Sequence, residues 1–313
     1  MVDGTARQRS VGLGLRAILI VGVVMVAIAC GRPVEGPVRD EEVLTVASFD
    51  FPESAVIAEI YVGALRAAGN PVEHIARVGT RETVFPALQK GLIDVVPEYA
   101  GSALEFLGGD PTSETPATHD ALAAAVAARG IEALAAAVAQ NRNGLVVSDR
   151  TASELDLHTI SDLTDAAPDL TLGGPPECPD RPLCLPGLKE TYGMSFGDFV
   201  PLDAGGPVTA EAVRRGLVDV GVLFTTDASL DEHGLVLLVD DRGLQPAENV
   251  TPLVRSDVEQ IFGADVTEAL EAVSEALTTD DLRTMNAEVG SGRTPAQVAH
   301  EWLVREGFIE DAA

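Results

Sequence analysis

Positive charge is scarce in this chain: 21 Lys and Arg stand against 49 Asp and Glu, a formal net charge of -28. Binding nucleic acid needs clustered Lys and Arg to neutralise phosphates, so the balance excludes a nucleic-acid partner. It suits attraction of a cationic solute, although an acidic surface also serves plain solubility. Histidine is sparse too. The five (His74, His119, His158, His233, His300) are scattered and form no HExxH pair. Gly-Gly at 108, 173 and 205 lacks the spacing of a phosphate-cradling loop. With no metal cluster or acid–base pair marked by a motif, the chain is not read as an enzyme, and no cofactor is expected. Aromatic residues are only 4% of the chain, so a ligand cage made wholly of rings is hard to assemble.

Long hydrophobic runs are also missing, with one exception. Arg7, Arg9 and Arg16 form a basic stretch around the start of an apolar run from Ala17 to Ala29. That run is shorter than the ~20 residues that cross a bilayer and matches the core of a secretory signal peptide. It ends in Ala27-Ile28-Ala29-Cys30-Gly31. Small residues before a lone cysteine resemble a bacterial lipobox, in which Cys30 becomes the lipidated first residue of the mature chain. Ala27 stands where a bulkier aliphatic is usual, and ordinary cleavage beside an incidental cysteine is the alternative. The reading is a signal peptide over 1–29, then a lipidated Cys30 and tether over 30–42. The protein would then be anchored to the outer face of the cytoplasmic membrane.

The remaining cysteines, Cys178 and Cys184, lie in ECPDRPLC, stiffened by Pro179, Pro182 and Pro186. An exported chain meets an oxidising environment, where so close a pair can bridge. Zinc is the alternative, but the spacing is wrong for it and no His is near. A structural disulfide is expected.

What the chain does have is alternation of strand and helix from Val43 onward. VLTVASF has the period-2 character of a strand. It runs into DFPES, with Pro52 at a helix start and Glu53 near the positive end of the helix dipole. Val56, Ile57, Ile60, Tyr61, Ala64 and Leu65 make a helical apolar stripe, stopped by Gly69. A strand over Val72–Arg77 follows, then the loop VGTRET, a helix ending at Gly91, and the strand LIDVV. An alanine-rich pair of helices is expected at about 118–140. Near the C-terminus, TPAQVAHEWL offers Thr294 as N-cap, Pro295 at the first helical position and Gln297 to close a capping box.

One internal echo bears on function. QKGLIDVVPEYAGS and RRGLVDVGVLFTTDAS share a helix end, a glycine (Gly91, Gly216), two aliphatics and an aspartate (Asp94, Asp219). In open parallel sheets ligands bind beyond the carboxyl ends of strands. Two such units, one per lobe, would place PEYAGS and FTTDAS on opposite walls of one cleft. A chance likeness between two common junctions is the alternative. The chain enters a second lobe near 141–147 and leaves it around 248–254. Residues 43–143 with 248–313 are thus read as lobe 1 and 144–247 as lobe 2. No long heptad or zipper is visible, and a monomer is expected.

Several of these segments, in one order, resemble the osmoprotectant-binding (ProX-type, glycine betaine/choline) branch of the ABC-importer binding proteins. The likeness covers essentially all of residues 43–310. Its carriers are SFDFPES, VGTRETVFPALQKGLIDVVPEYAGSAL, LHTISDL, RPLCLPGLKETYGMSF, AVRRGLVDVGVLFTTDA and RTPAQVAHEWLVREGF. SFDFPES, the TRET loop and ECPDRPLC look especially like actinobacterial members. The resemblance implies a two-lobed α/β Venus-flytrap fold of the type II periplasmic-binding-protein kind, with two hinge crossovers. It also implies a small-molecule ligand left unreacted, with a separate membrane permease and a cytoplasmic ATPase as partners.

A quaternary ammonium cannot donate a hydrogen bond, so proteins hold it with aromatic faces, and a carboxylate tail needs Arg or N–H donors. Tyr99 matches a position that often lines the family's pocket. Phe224 falls where an aromatic is frequent, though it could be a plain core residue. Phe49 and Phe51 are possible lids, one of them packing inward. Arg181 matches a family arginine able to clamp an anionic group, or stays solvated. Thr80, Arg81 and Glu82 precede a helix and could meet an acceptor on the ligand, or Arg81 and Glu82 could pair with each other. Asn141 and Asn143 lie at the first crossover, and Thr225, Thr226 and Asp227 on the opposite wall. Asp50 is a further candidate contact, while helix capping is the expected job of Glu53. At the second crossover, Glu248 and Asn249 stand where many betaine and choline binders carry rings. Asn249 is kept as a candidate contact, and the ligand could be more polar than glycine betaine or held by fewer rings.

Overall fold

A computed structural model of the chain describes residues 43–311, Ala204 and His233 excepted; the signal peptide, Cys30 and the tether lie outside the described residues. In chain order the strands are β1 (Leu44–Phe49), β2 (Val72–Gly79), β3 (Val95–Tyr99), β4 (Ile131–Ala133) and β5 (Asn143–Ser148). They continue as β6 (Thr171–Gly174), β7 (Asp198–Pro201), β8 (Val220–Phe224), β9 (Leu235–Leu237) and β10 (Val250–Arg255). The helices are α1 (Pro52–Ala67), α2 (Arg81–Gln89), α3 (Ala100–Phe106), α4 (Thr115–Ala127), α5 (Asp149–Leu155) and α6 (Leu185–Tyr192). After them come α7 (Pro207–Arg214), α8 (Val258–Phe262), α9 (Asp265–Ala276), α10 (Thr279–Gly290) and α11 (Pro295–Arg305).

The strands form two five-stranded sheets, ordered β2-β1-β3-β10-β4 and β7-β6-β8-β5-β9. The two orders are the same pattern. The second strand (β1, β6) has parallel neighbours on both sides. The fourth strand (β10, β5) runs antiparallel and is the one that follows a crossing between the sheets. Both faces of each sheet are covered, as parallel strands require. In β1, Leu44 and Val46 face one core while Ala47 and Phe49 face the other, the alternation of a strand buried on both sides. The second sheet has its own two cores, around Leu172 and Val220 and around Val146 and Leu223. The expected two-lobed α/β architecture with two crossings is therefore the one observed.

The internal echo is structural. Asp94 precedes β3 and accepts the backbone N–H of Thr45 at 2.8 Å; Asp219 precedes β8 and accepts that of Thr171 at 2.8 Å. Gly91 and Gly216 both sit at φ +67, the left-handed conformation that ends α2 and α7 without a Cβ penalty. β3 and β8 are thus equivalent strands, each at the third place of its sheet.

Helix α1 is buried over most of its surface, because apolar residues occupy nearly all of its faces. It packs on α11 so closely that a Cβ added at Gly63 would lie 2.2 Å from Leu303 Cδ1. Thr294 and Gln297 close the expected capping box at the start of α11. Two local expectations fail. The alanine-rich stretch gives one helix, α4. Gly130, at φ +71, follows its end, and Ile131 pairs with Arg255 at the sheet edge, so strand pairing overrides alanine's helix propensity. The strand expected over LIDVV runs instead from Val95 to Tyr99, because Leu92 still bonds back to the Ala87 carbonyl after α2 while β10 pairs with Val95 through Tyr99.

The two crossings lie side by side. Gln140 and Asn249 form an antiparallel bridge, and the Asn141 N–H donates to the Glu248 carbonyl at 3.1 Å. Thr225, just past β8, accepts the Arg142 N–H at 2.9 Å and ties the first crossing to the second sheet.

Candidate functional site

The carboxyl ends of β1, β3 and β8 open on one cleft of about 1120 Å³, bordered by Phe51, Glu53, Arg81, Tyr99, Phe224, Thr226, Asp227 and Asn286 among others. Tyr99 ends β3 and Phe224 ends β8, so the two halves of the echo face the same space, as the topology of open sheets requires. Residues that sequence reading placed on opposite walls are in fact brought together.

Three rings from the first sheet form a row. Phe49 is 3% exposed and stacks on Phe51 at 5.9 Å between centroids; Phe51 is 37% exposed and lies 6.1 Å from Tyr99. The inward ring is Phe49 and the one open to the cleft is Phe51. Across the cleft Phe224 is 39% exposed, which is not the environment of a core residue. Arg81 lies over the Phe49 ring at 5.5 Å.

Arg81 does not pair with Glu82. Its guanidinium makes a two-pronged contact with Glu98, Nε to Oε1 at 2.7 Å and Nη2 to Oε2 at 2.9 Å. Burial works against the charge on Arg81, but the Glu98 hydrogen bonds and charge outweigh it and hold its pKa above the ordinary value. Glu82 is exposed, and a hydrogen bond with the Thr80 side chain keeps its carboxyl below the usual range.

Glu53 does not cap its helix. Its carboxylate accepts the Tyr99 hydroxyl at 2.5 Å and the Asn141 amide at 2.9 Å on Oε1, and the Asn286 amide at 2.6 Å on Oε2. Asn286 also donates to the Thr226 carbonyl at 3.0 Å, so one amide joins the first lobe to the wall of the second. Burial, then the neighbouring Glu53 charge, pushes the Tyr99 phenol well above its ordinary pKa, so it remains a hydrogen-bond donor. Glu248 accepts both the N–H (2.9 Å) and the hydroxyl (2.7 Å) of Ser102, and burial pushes its pKa up.

Other candidates stand apart from the large cleft. Asp50 is exposed and ion-paired with Arg77 at 2.7 Å, and Thr80 is exposed at the start of α2. Thr225 serves the crossing. Asn249 is 4% exposed, with its amide donating to the Ala137 carbonyl and its oxygen accepting from Thr115. Its polar groups are thus spent on internal bonds, and it borders no part of the cleft. Asn143 and Arg181 border a second chamber of about 300 Å³ beyond Phe224, walled by Cys178 and Cys184. Those two cysteines form the expected disulfide, with Cα atoms 5.2 Å apart.

Sequence reading passed over Asn286 and Glu98. Glu98 sits in the quoted PEYAGS and was legible as a charge beside Tyr99; Asn286 lies 233 residues from Glu53 with no local signal. One enzyme-like motif was read as absent although the chain has it: Gly193-Met194-Ser195-Phe196-Gly197 spells GxSxG. It runs from the end of α6 into β7 with Ser195 exposed, the reverse of the strand-to-helix elbow that such a nucleophile needs.

Two α/β lobes with a cleft at their strand ends and two side-by-side crossings define a solute-binding protein of the type II periplasmic class. Residues 42–305 match the substrate-binding domain of the ABC-type glycine betaine transport system, and the chain belongs to that family. It is 27% identical over 298 residues to the glycine-betaine-binding protein of Pseudomonas aeruginosa, covering 91% of this chain and 94% of that one. It is 24% identical to the glycine betaine-binding protein YehZ of Escherichia coli, covering 88% and 94%. The fold is similar to a crystal structure of a glycine betaine/carnitine/choline ABC transporter protein, with a TM-score of 0.78 at 21% identity, covering 85% of this chain and 99% of that one.

Proposed function

We propose that this chain captures a small quaternary ammonium solute, of the glycine betaine or choline kind, in the cleft and hands it unreacted to an ABC permease driven by a separate ATPase. The observation carrying this reading is that Tyr99 and Phe224, ends of equivalent strands in the two sheets, border one space. Phe51 adds a third ring face, and cation–π attraction suits a group that cannot donate a hydrogen bond. The carboxylates of Glu53 and Asp227 give that space a negative field. The names of the Pseudomonas aeruginosa and Escherichia coli relatives support the same ligand class.

Phe51, Arg81, Tyr99, Asn141, Phe224, Thr226 and Asp227 are the proposed contacts in the main cleft, with Asn143 and Arg181 in the adjoining chamber. Residues 43–143 with 248–313 form one rigid half and 144–247 the other, the crossings acting as hinge. Export through the N-terminal signal and lipidation at Cys30 would hold the monomer at the outer face of the membrane. A second reading has one observation in its favour. Glu248 stands where rings were expected and holds Ser102, a polar residue on the cleft wall, which suits a more polar solute.

A thermal-shift panel separates the two. A ligand at 100 times its dissociation constant adds ~2.7 kcal/mol of stability. Glycine betaine, choline or carnitine should raise the melting temperature, and uncharged polar solutes should not. A shift only with a solute lacking a quaternary nitrogen would refute the ligand assignment.

A further inference from the structure

Among the described residues, five charged side chains border the cleft: Glu53, Arg81, Asp227, Asp231 and Glu232. Three of them have an ion partner, since Arg81 meets Glu98, Asp231 meets Arg283 and Glu232 meets Arg214. Asp227 is partly open to solvent and spends one oxygen on the Ser229 N–H and hydroxyl. Glu53 differs from all four. It is 6% exposed, and among the described residues its carboxylate is held only by neutral donors, the Tyr99 hydroxyl and the amides of Asn141 and Asn286. Among the described residues it forms no ion pair. Its place in the first turn of α1 adds the partial charge of a helix terminus, which is less than a full unit. A buried carboxylate without a cation is costly to keep, so a wall of the cleft carries an uncompensated negative charge.

We infer that the missing unit charge is the solute's: Glu53 is the residue that makes the cleft select a permanently charged ammonium over a neutral molecule of the same shape. The inference rests on the cleft being the solute site proposed above. It also explains the hydrogen bonding. A carboxylate has about four acceptor positions, and on Glu53 three are occupied. One position is left, so an ammonium with several N–H groups could not satisfy them there without displacing a donor. A quaternary nitrogen has no N–H and needs only the field, so Glu53 can keep all three bonds and still serve as counter-ion. Tyr99, bonded to Glu53, and Phe51, 6.1 Å from Tyr99, border the same cleft and offer faces for the methyl groups.

The test is Glu53→Gln, which keeps the shape and removes the charge. Titration calorimetry compares glycine betaine with its tert-butyl isostere, in which a carbon replaces the ammonium nitrogen, on wild type and variant. Removing one charge at close range in a partly desolvated cleft should weaken glycine betaine by about 10- to 100-fold. The isostere should change by less than about 3-fold, since it carries no charge at that end. Equal losses for both ligands would mean that Glu53 is only structural, and no loss for glycine betaine would mean that it is not the counter-ion; either overturns the inference. If the variant fails to fold, wild type alone decides: equal affinity for glycine betaine and the isostere overturns it, and clear preference for glycine betaine supports it. A wild-type protein that binds no quaternary ammonium at all would instead sink the cleft reading on which it stands.

Discussion

At the scale of the residue, the cleft and the layer behind it hold acids whose compensation differs one by one. Glu98 is 1% exposed and depends on Arg81. Arg81→Ala leaves that carboxylate buried without its partner and should cost about 3–5 kcal/mol, measured by urea unfolding. A cost below about 1 kcal/mol would show that Glu98 finds another compensation. Glu248 offers a pH test. Burial raises its pKa in the folded chain, against the Ser102 donors and the Arg81 charge. A carboxyl raised on folding contributes stability below its unfolded value and loses that contribution as pH rises through the folded value. Glu248→Gln does not titrate, so its stability relative to wild type should improve as pH goes from about 4 to about 8. Melting curves across that range check the sign. How much of this was legible follows from distance along the chain. Tyr99 and Phe224 were found through the family resemblance, and the repeated local pattern placed their segments on facing walls. Asn286 was not, because its role exists only once α10 has packed against the start of α1. Glu53 was seen but given a capping role, since its position in the first helical turn is a local signal and its contacts with Asn141 and Asn286 are not.

At the scale of the element, the equivalence of β3 and β8 was readable from sequence because it rests on short patterns: a left-handed glycine, two aliphatics, then an aspartate that holds the neighbouring strand. Extents were less readable. The strand was read as LIDVV, ending before Pro97, yet β3 runs through Pro97 with Pro252 of β10 opposite it. The alanine-rich stretch looked helical throughout because alanine's propensity is local, whereas pairing of Ile131 with Arg255 is not. The disulfide belongs to this scale, since Cys178 and Cys184 are six apart and wall the smaller chamber. A loop of this size should lose about 2 kcal/mol on conversion of both cysteines to serine. Chemical denaturation of the double variant measures that loss. Affinity for the solute should fall in the same variant, because the loop bearing Arg181 loses its clip. Unchanged affinity would remove the chamber from the site.

At the scale of the whole molecule, the two lobes touch through more than their crossings. Arg283 on α10 meets Asp231 of the second lobe at 2.8 Å, three residues before the Asn286 that bonds the Thr226 carbonyl. These contacts favour a closed cleft, and closure over ligand is a hinge motion of this class of fold. Arg283→Ala should weaken solute binding by roughly 3- to 5-fold, the effect of losing about 1 kcal/mol of a half-exposed pair. Small-angle scattering of the ligand-free variant should show a larger radius of gyration than wild type. An unchanged radius together with unchanged affinity would mean that the pair has no part in closure. The central claim is that rings from both sheets grip one cationic guest. Titration calorimetry with glycine betaine or choline on wild type, Tyr99→Ala and Phe224→Ala tests it most directly. The account expects one site per chain in wild type and a loss of about 10-fold or more in each variant, one from either lobe. Binding that survives both substitutions unchanged would place the guest elsewhere and contradict the account.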